Sequence, residues 1–102
     1  MNTNAAQAVV DQAAGTSVLL DVRRDEEWAA GHAAGALHWE LARLERGEFP
    51  DIPHDVTVYT HCAAGGRAGK AAEILTANGW EHVVNIGGLK DWEEAGGALS
   101  TE

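Results

Sequence analysis

Apolar and polar positions fall into short blocks whose period changes along the chain. Ala6, Val9, Val10 and Ala13 recur at three- and four-residue spacing, which predicts a helix through about position 14 with one apolar stripe. Thr3 or Asn4 is the expected cap and Gly15 the expected stop. Ser17-Val18-Leu19-Leu20-Asp21-Val22 has no alternation, as in a strand covered on both faces within a parallel sheet. Asp25-Glu26-Glu27-Trp28-Ala29-Ala30-Gly31 predicts a short helix, with acids in its first turn, glycine at its end, and Trp28 as its anchor to the core. Ala36-Leu37-His38-Trp39 predicts a short strand, and positions 40–46 a short charged helix closed by Gly47. Pro50 and Pro53 make 49–55 a loop.

The second half repeats the alternation. Val56-Thr57-Val58-Tyr59-Thr60 predicts a central strand, and about 67–78 a helix with Ala68, Ala71, Ala72 and Leu75 on one face. Asn78-Gly79 ends it, with Trp80 placed to fold back onto Leu75 in a Schellman turn. His82-Val83-Val84-Asn85-Ile86 is the next strand, Gly87-Gly88 a tight turn, and 89–95 a last helix carrying Trp92. The tail from Gly96 is expected to be loose. Strands and helices joined by short connections predict an α/β fold, a three-layer domain with a mostly parallel central sheet flanked by helices. At 102 residues the chain is expected to be one domain, large enough to bury a core without disulfides or metals.

Composition narrows the functional classes. A formal charge of −9 with no basic run argues against nucleic acid and anionic membrane surfaces as partners. No apolar run approaches the roughly 20 residues of a membrane span, and the first residues lack the basic and apolar regions of a signal peptide. The single cysteine cannot form an internal disulfide, which fits a reducing compartment; cytoplasm is the expectation. His38, His54 and His82 show no metal-ligand spacing, so no metal or cofactor is expected. Four tryptophans are expected in the core, and a monomer follows.

The chemistry concentrates at that cysteine. Cys62 stands where the central strand gives way to Ala63-Ala64-Gly65-Gly66, a stretch almost bare of side chains, and Arg67 opens the following helix. Glycines let backbone N–H groups turn toward a ligand, and a helix N-terminus adds its dipole. A thiol in that setting is favoured as a thiolate nucleophile. Arg67 offers a planar fork for an oxyanion such as thiosulfate or phosphate. Three readings compete: a buried cysteine acting as a small hydrophobe, a phosphate-handling loop, and a sulfur-transfer loop. Asp21 and Arg23 fall at the C-terminal end of a predicted parallel strand, the edge where sites gather, and are read as a structural ion pair. His61 precedes Cys62 along extended backbone and is expected to face the other way, as a structural residue. His32 is expected to be a hydrogen-bonded turn residue.

The sequence resembles the single-domain rhodanese (thiosulfate sulfurtransferase-like) family. The resemblance runs from about Val18 to Trp92. It rests on Leu20-Asp21-Val22-Arg23, on Glu27-Trp28-Ala29-Ala30-Gly31-His32-Ala33-Ala34-Gly35-Ala36, on Val58-Tyr59, on Cys62 through Arg67, on Gly79-Trp80, and on Val83-Val84-Asn85-Ile86-Gly87-Gly88-Leu89-Lys90-Asp91-Trp92. It implies that Cys62 is a persulfide-forming nucleophile, that Ala63, Ala64, Gly65, Gly66 and Arg67 form the substrate-binding loop, and that Asp21 and Arg23 support it. The implied activity is thiosulfate sulfurtransferase. It passes sulfane sulfur from a small-molecule donor to cyanide or a thiol, with a sulfur-relay protein as a further class of partner. The loop counts six residues from Cys62 to Arg67; relatives acting on phosphate or arsenate carry one more, so the resemblance favours sulfur over a phosphatase or arsenate reductase. A low-turnover sulfur carrier or docking module is the other alternative. The chain departs from the family at Ala68, where serine is frequent, and at Ala33 and Ala34, where bulkier residues and a proline are frequent. No opening edge strand is evident before Thr3.

Overall fold

A computed structural model describes residues 2–102. The elements in chain order are α1 (Thr3–Ala14), β1 (Ser17–Asp21), α2 (Asp25–Ala30), β2 (His32–Ala33), β3 (Leu37–His38), α3 (Leu41–Glu45), β4 (Thr57–Cys62), α4 (Gly66–Ala77), β5 (Val83–Gly88), α5 (Leu89–Glu94) and β6 (Leu99–Ser100). Four strands form one sheet in the order β3-β1-β4-β5, and every pairing in it is parallel. The fold is the expected α/β arrangement, a parallel sheet between two helical layers.

The sheet is covered on both sides because its strands are apolar on both sides. Leu20, Val58 and Cys62 point to one face, where they pack with Ala68, Ala71 and Leu75 of α4 and Leu44 of α3. Leu19, Tyr59 and Ile86 point to the other, against Ala5 and Ala8 of α1 and Trp92 of α5. Burying a leucine such as Leu75 in a core of this kind contributes about 2–5 kcal/mol relative to alanine. The helix α4 ends as expected: the N–H of Trp80 reaches the carbonyl of Leu75 at 3.2 Å, that of Gly79 reaches Thr76 at 3.3 Å, and Gly79 has φ 104°.

Several local expectations are corrected. The cap of α1 is Asn2, not Thr3 or Asn4: its Oδ1 accepts from the N–H of Ala5 at 2.9 Å while its Nδ2 donates to the carbonyl of Ile86 at 2.8 Å. One amide thus starts the helix and fastens it to β5. The docking face of α1 is Ala5, Ala8 and Val9, while Ala6 and Ala13 are exposed and Val10 is 61% exposed. That face continues into Gln12, whose Nε2 donates to the carbonyl of Ala34 at 2.6 Å. The polar end of the stripe disguised it, and alanine's small size decides which side approaches the sheet. Trp28 is a rim residue instead of a core anchor, stacked on His32 at 3.5 Å and His38 at 4.8 Å between centroids. The tail is not loose: β6 pairs antiparallel with β2. Trp92 Nε1 donates to the carbonyl of Ala98 at 2.8 Å, and the chain crosses the Trp92 ring at Gly97, where a Cβ would lie 2.1 Å from a ring atom. Neither strand of that pair was expected, since two residues are too few to show a period. Gly87 and Gly88 end β5 instead of forming a separate turn.

Candidate active site

The chain leaves β1 toward β3 on one side, and β4 lies on β1's other side. Connections therefore diverge between β1 and β4, and in an open parallel sheet a crevice forms at the C-terminal ends of such a strand pair. Asp21 closes β1 and Cys62 closes β4 at that edge; Asp21 pairs in register with His61.

Cys62 is 1% exposed, yet the residues that follow, Ala63, Ala64 and Gly66, are exposed. The sulfur therefore lies beneath an open loop. Its Sγ accepts the N–H of Gly65 at 2.9 Å. Gly65 has φ 106°, a left-handed conformation that side chains disfavour, and this turns its amide toward the sulfur. The carbonyl of Gly65 is held in turn by Asn85 Nδ2 at 3.0 Å and by the N–H of Gly69 at 2.9 Å. The loop rests on β5: a Cβ at Gly88 would stand 2.1 Å from the carbonyl oxygen of Ala63. Gly88 pairs with Cys62 across a register shift between Thr60 and Cys62. Asn85 and Gly88 thus belong to the site's floor. The sequence placed Asn85 in a strand and in a segment of the family resemblance but gave it no site role.

Arg67 does not stand free at the loop's end. Its Nη1 and Nη2 donate to Glu27 Oε1 and Oε2 at 2.6 and 2.9 Å, a bidentate fork between α4 and α2. Hydrogen bonding from Arg67 holds the Glu27 carboxyl down at about 2, and Glu27 in return raises the guanidinium. Glu27 also accepts the backbone N–H of Arg24 at 3.1 Å. Sequence reasoning placed Glu27 in an acidic first turn and in a segment of the family resemblance, with no role at the loop; its partner lies 40 residues away, beyond any local pattern.

The second pair is buried. Arg23 Nε and Nη2 donate to the Asp21 carboxylate at 2.8–3.1 Å, the Arg23 N–H adds a 3.0 Å bond, and Nη2 reaches the carbonyl of Gly31 at 2.8 Å. This knot fixes the β1–α2 turn to the end of α2. His61 is fully buried, with Nε2 unpaired and 3.7 Å from Asp21 Oδ2. Desolvation pushes its pKa below 6.5, against the attraction of Asp21. Lying on the Asp21 side of β4, its imidazole is turned to the sheet face opposite Cys62. His32 Nδ1 bonds the carbonyl of Trp28 at 2.9 Å.

A cavity of about 390 Å³ opens beside Arg67, walled by Val22, Arg24, Glu40, Leu41, Ala42 and Glu45. A hollow of about 460 Å³ lies between α1 and α5, lined by Asn2, Ala6, Asp91, Glu94 and Ala95. It has no nucleophile in its wall and sits on the other side of the sheet from the thiol. The arrangement at Cys62 suits covalent chemistry on a small ligand: a shielded sulfur, an amide donor on it, and a solvent-open loop.

Known proteins resemble the chain in sequence and in fold. The rhodanese-like domain matches residues 4–95. The chain is 38% identical over 73 residues to the thiosulfate sulfurtransferase PspE of Escherichia coli, spanning 71% of this chain and 70% of that protein. It is 36% identical over 97 residues to a tRNA uridine(34) hydroxylase of Bordetella petrii, spanning 86% of this chain but 38% of that protein. A solved structure of a rhodanese with anions from E. coli superposes with a TM-score of 0.73 at 33% identity, covering 84% of this chain and 99% of that one.

Proposed function

The chain belongs to the rhodanese-like family, and from that premise we propose that it is a sulfurtransferase working through a persulfide on Cys62. The observation that carries this reading is the Cys62 sulfur under its six-residue loop, accepting the N–H of Gly65 at the C-terminal edge of β4. The Cys62 thiolate attacks the outer sulfur of thiosulfate; the S–S bond of the donor breaks and sulfite leaves with its electron pair. The terminal sulfur of the new persulfide takes its negative charge into the loop, where backbone N–H groups and the start of α4 stabilise it. A thiophilic acceptor, cyanide or a thiol, then attacks that terminal sulfur and Cys62 returns as thiolate. The burial of Sγ suits a small donor, and the bare loop leaves its choice to size and charge. A thiol acceptor, free or on a sulfur-relay protein, approaches over the exposed residues Ala63, Ala64 and Gly66.

Arg67 orders the loop through Glu27 and draws the anionic donor with its remaining N–H groups. Phosphoester chemistry is the weaker reading, because the loop from Cys62 to Arg67 counts six residues, one fewer than in the relatives that act on phosphate or arsenate. Among the described residues, no helix is long and apolar enough to cross a membrane. Intact mass spectrometry tests the proposal. Thiosulfate adds one sulfur to the wild-type protein, cyanide removes it, and Cys62→Ser shows neither change. Absence of the adduct in reductant-free buffer overturns it.

A further inference from the structure

A second chemistry-bearing cluster lies outside the thiol loop. Asp25 opens α2, His38 closes β3 and Glu40 precedes α3. Nothing in their sequence spacing marks them as a set. The parallel pairing of β3 with β1 places His38 beside Asp21 in register, and so beside the turn that leads to Asp25. One ligand-capable atom from each of the three lies within 4.8 Å of the other two, and His38 Nδ1 is 3.7 Å from Asp25 Oδ1.

The imidazole is oriented from outside the cluster. His38 Nε2 stands 2.8 Å from the carbonyl oxygen of Arg23. A carbonyl only accepts, so Nε2 carries a proton there, and Nδ1 is the ring nitrogen turned toward the Asp25 carboxylate. A backbone carbonyl on the far nitrogen is the arrangement found behind metal-binding histidines. Trp28 stacks against the ring at 4.8 Å and 12°, which resists its rotation. Among the described residues, neither Asp25 nor Glu40 forms a salt bridge with a lysine or arginine. Three ligand-capable side chains therefore converge with no lysine or arginine paired to their carboxylates.

We propose that Asp25, His38 and Glu40 form a binding site for a borderline divalent cation such as Zn²⁺. One neutral imidazole and two carboxylates balance a 2+ charge, and a nitrogen–oxygen donor set suits Zn²⁺, Co²⁺ or Ni²⁺ over Mg²⁺ or Ca²⁺. Tetrahedral bonds of about 2.1 Å put neighbouring donors about 3.4 Å apart. The 3.7 Å His38–Asp25 separation already comes close to that spacing, and Asp25, with its side chain 84% exposed, is free to swing inward. Remaining coordination positions are left to water. The ion joins the start of α2 to the β3–α3 junction. Because Glu40 also walls the cavity beside Arg67, the site borders that cavity, which Cys62 does not line.

Calorimetric titration of the untagged protein with zinc chloride tests this. The expected result is one ion per chain in the wild type and equally in Cys62→Ser, which removes the thiol as a ligand. In Cys62→Ser, further substitution by His38→Ala or Asp25→Asn weakens binding at least about tenfold. Circular dichroism and thermal midpoints without metal verify that each variant is folded; Asp25 is exposed, so its variant remains informative even where His38→Ala is unstable. Absence of binding, binding lost in Cys62→Ser, or binding unchanged in folded His38→Ala or Asp25→Asn overturns the proposal.

Discussion

Two arginine–carboxylate forks flank the thiol, and they are built differently. Asp21–Arg23 spans two residues of one turn, is almost wholly buried, and adds bonds to its own backbone and to Gly31. Glu27–Arg67 spans 40 residues, joins α2 to α4, and leaves its side chains 25% and 33% exposed. The first is local and dry, so removing one partner strands a buried charge. The second is long-range and wet, so water and ions can replace either partner. The chain thus places a rigid tie under the β1 edge of the site and an openable one over the loop.

Breaking the buried tie is expected to have the largest effect on stability. Asp21→Asn leaves Arg23 without its counter-charge and costs about 3–5 kcal/mol in urea denaturation. If it costs no more than Glu27→Gln, the contrast between the two forks fails. Arg67→Ala comes next: about 1 kcal/mol or less in stability, but a drop of more than about tenfold in kcat/KM for thiosulfate, equivalent to at least 1.4 kcal/mol of transition-state binding. Equal loss of both would reduce Arg67 to a structural residue. Acid sharpens the same contrast. Glu27 titrates near about 2 in the folded chain and 4.5 is its ordinary value, so the unfolded state takes up the proton first. The contribution of the Glu27–Arg67 pair is present above pH 4.5 and fades from there toward pH 2, a slope that Glu27→Gln removes from acid denaturation curves. The smallest expected effect belongs to His61. Its folded pKa is depressed by burial, so the unfolded chain binds the extra proton as pH falls through 6.5, and stability declines. Urea midpoints measured at pH 7.5 and 5.5 should converge in His61→Leu.

The same division between local and long-range contacts explains what could be read from sequence. The strand–loop–helix around Cys62, the Schellman turn at Gly79-Trp80 and the Asp21–Arg23 pair are local and carry period, cap or spacing signals. The face of α1 was misjudged because Gln12 and Asn2 use amides to bind distant carbonyls, which makes a docking side look polar. Trp28 found histidines instead of core, since its partners His32 and His38 arrive from β2 and β3. The pairing of β6 with β2 depends on Gly97 letting the chain lie on Trp92, a close approach that no periodicity announces. At the site itself, Cys62 and its loop were legible, whereas Glu27, Asn85 and the floor role of Gly88 required the fold.

The contact beneath the loop also constrains how this protein could be re-engineered or diverge. The carbonyl of Ala63 already occupies the space a Gly88 side chain would need, so the cradle has no depth to gain on its inner side. An inserted residue has to arch outward over positions 64–66, and enlarging the ligand space means lifting the Arg67 end away from Glu27. Room for a larger ligand is therefore asymmetric: it opens through the exposed fork, and a substitution at Gly88 is closed to it.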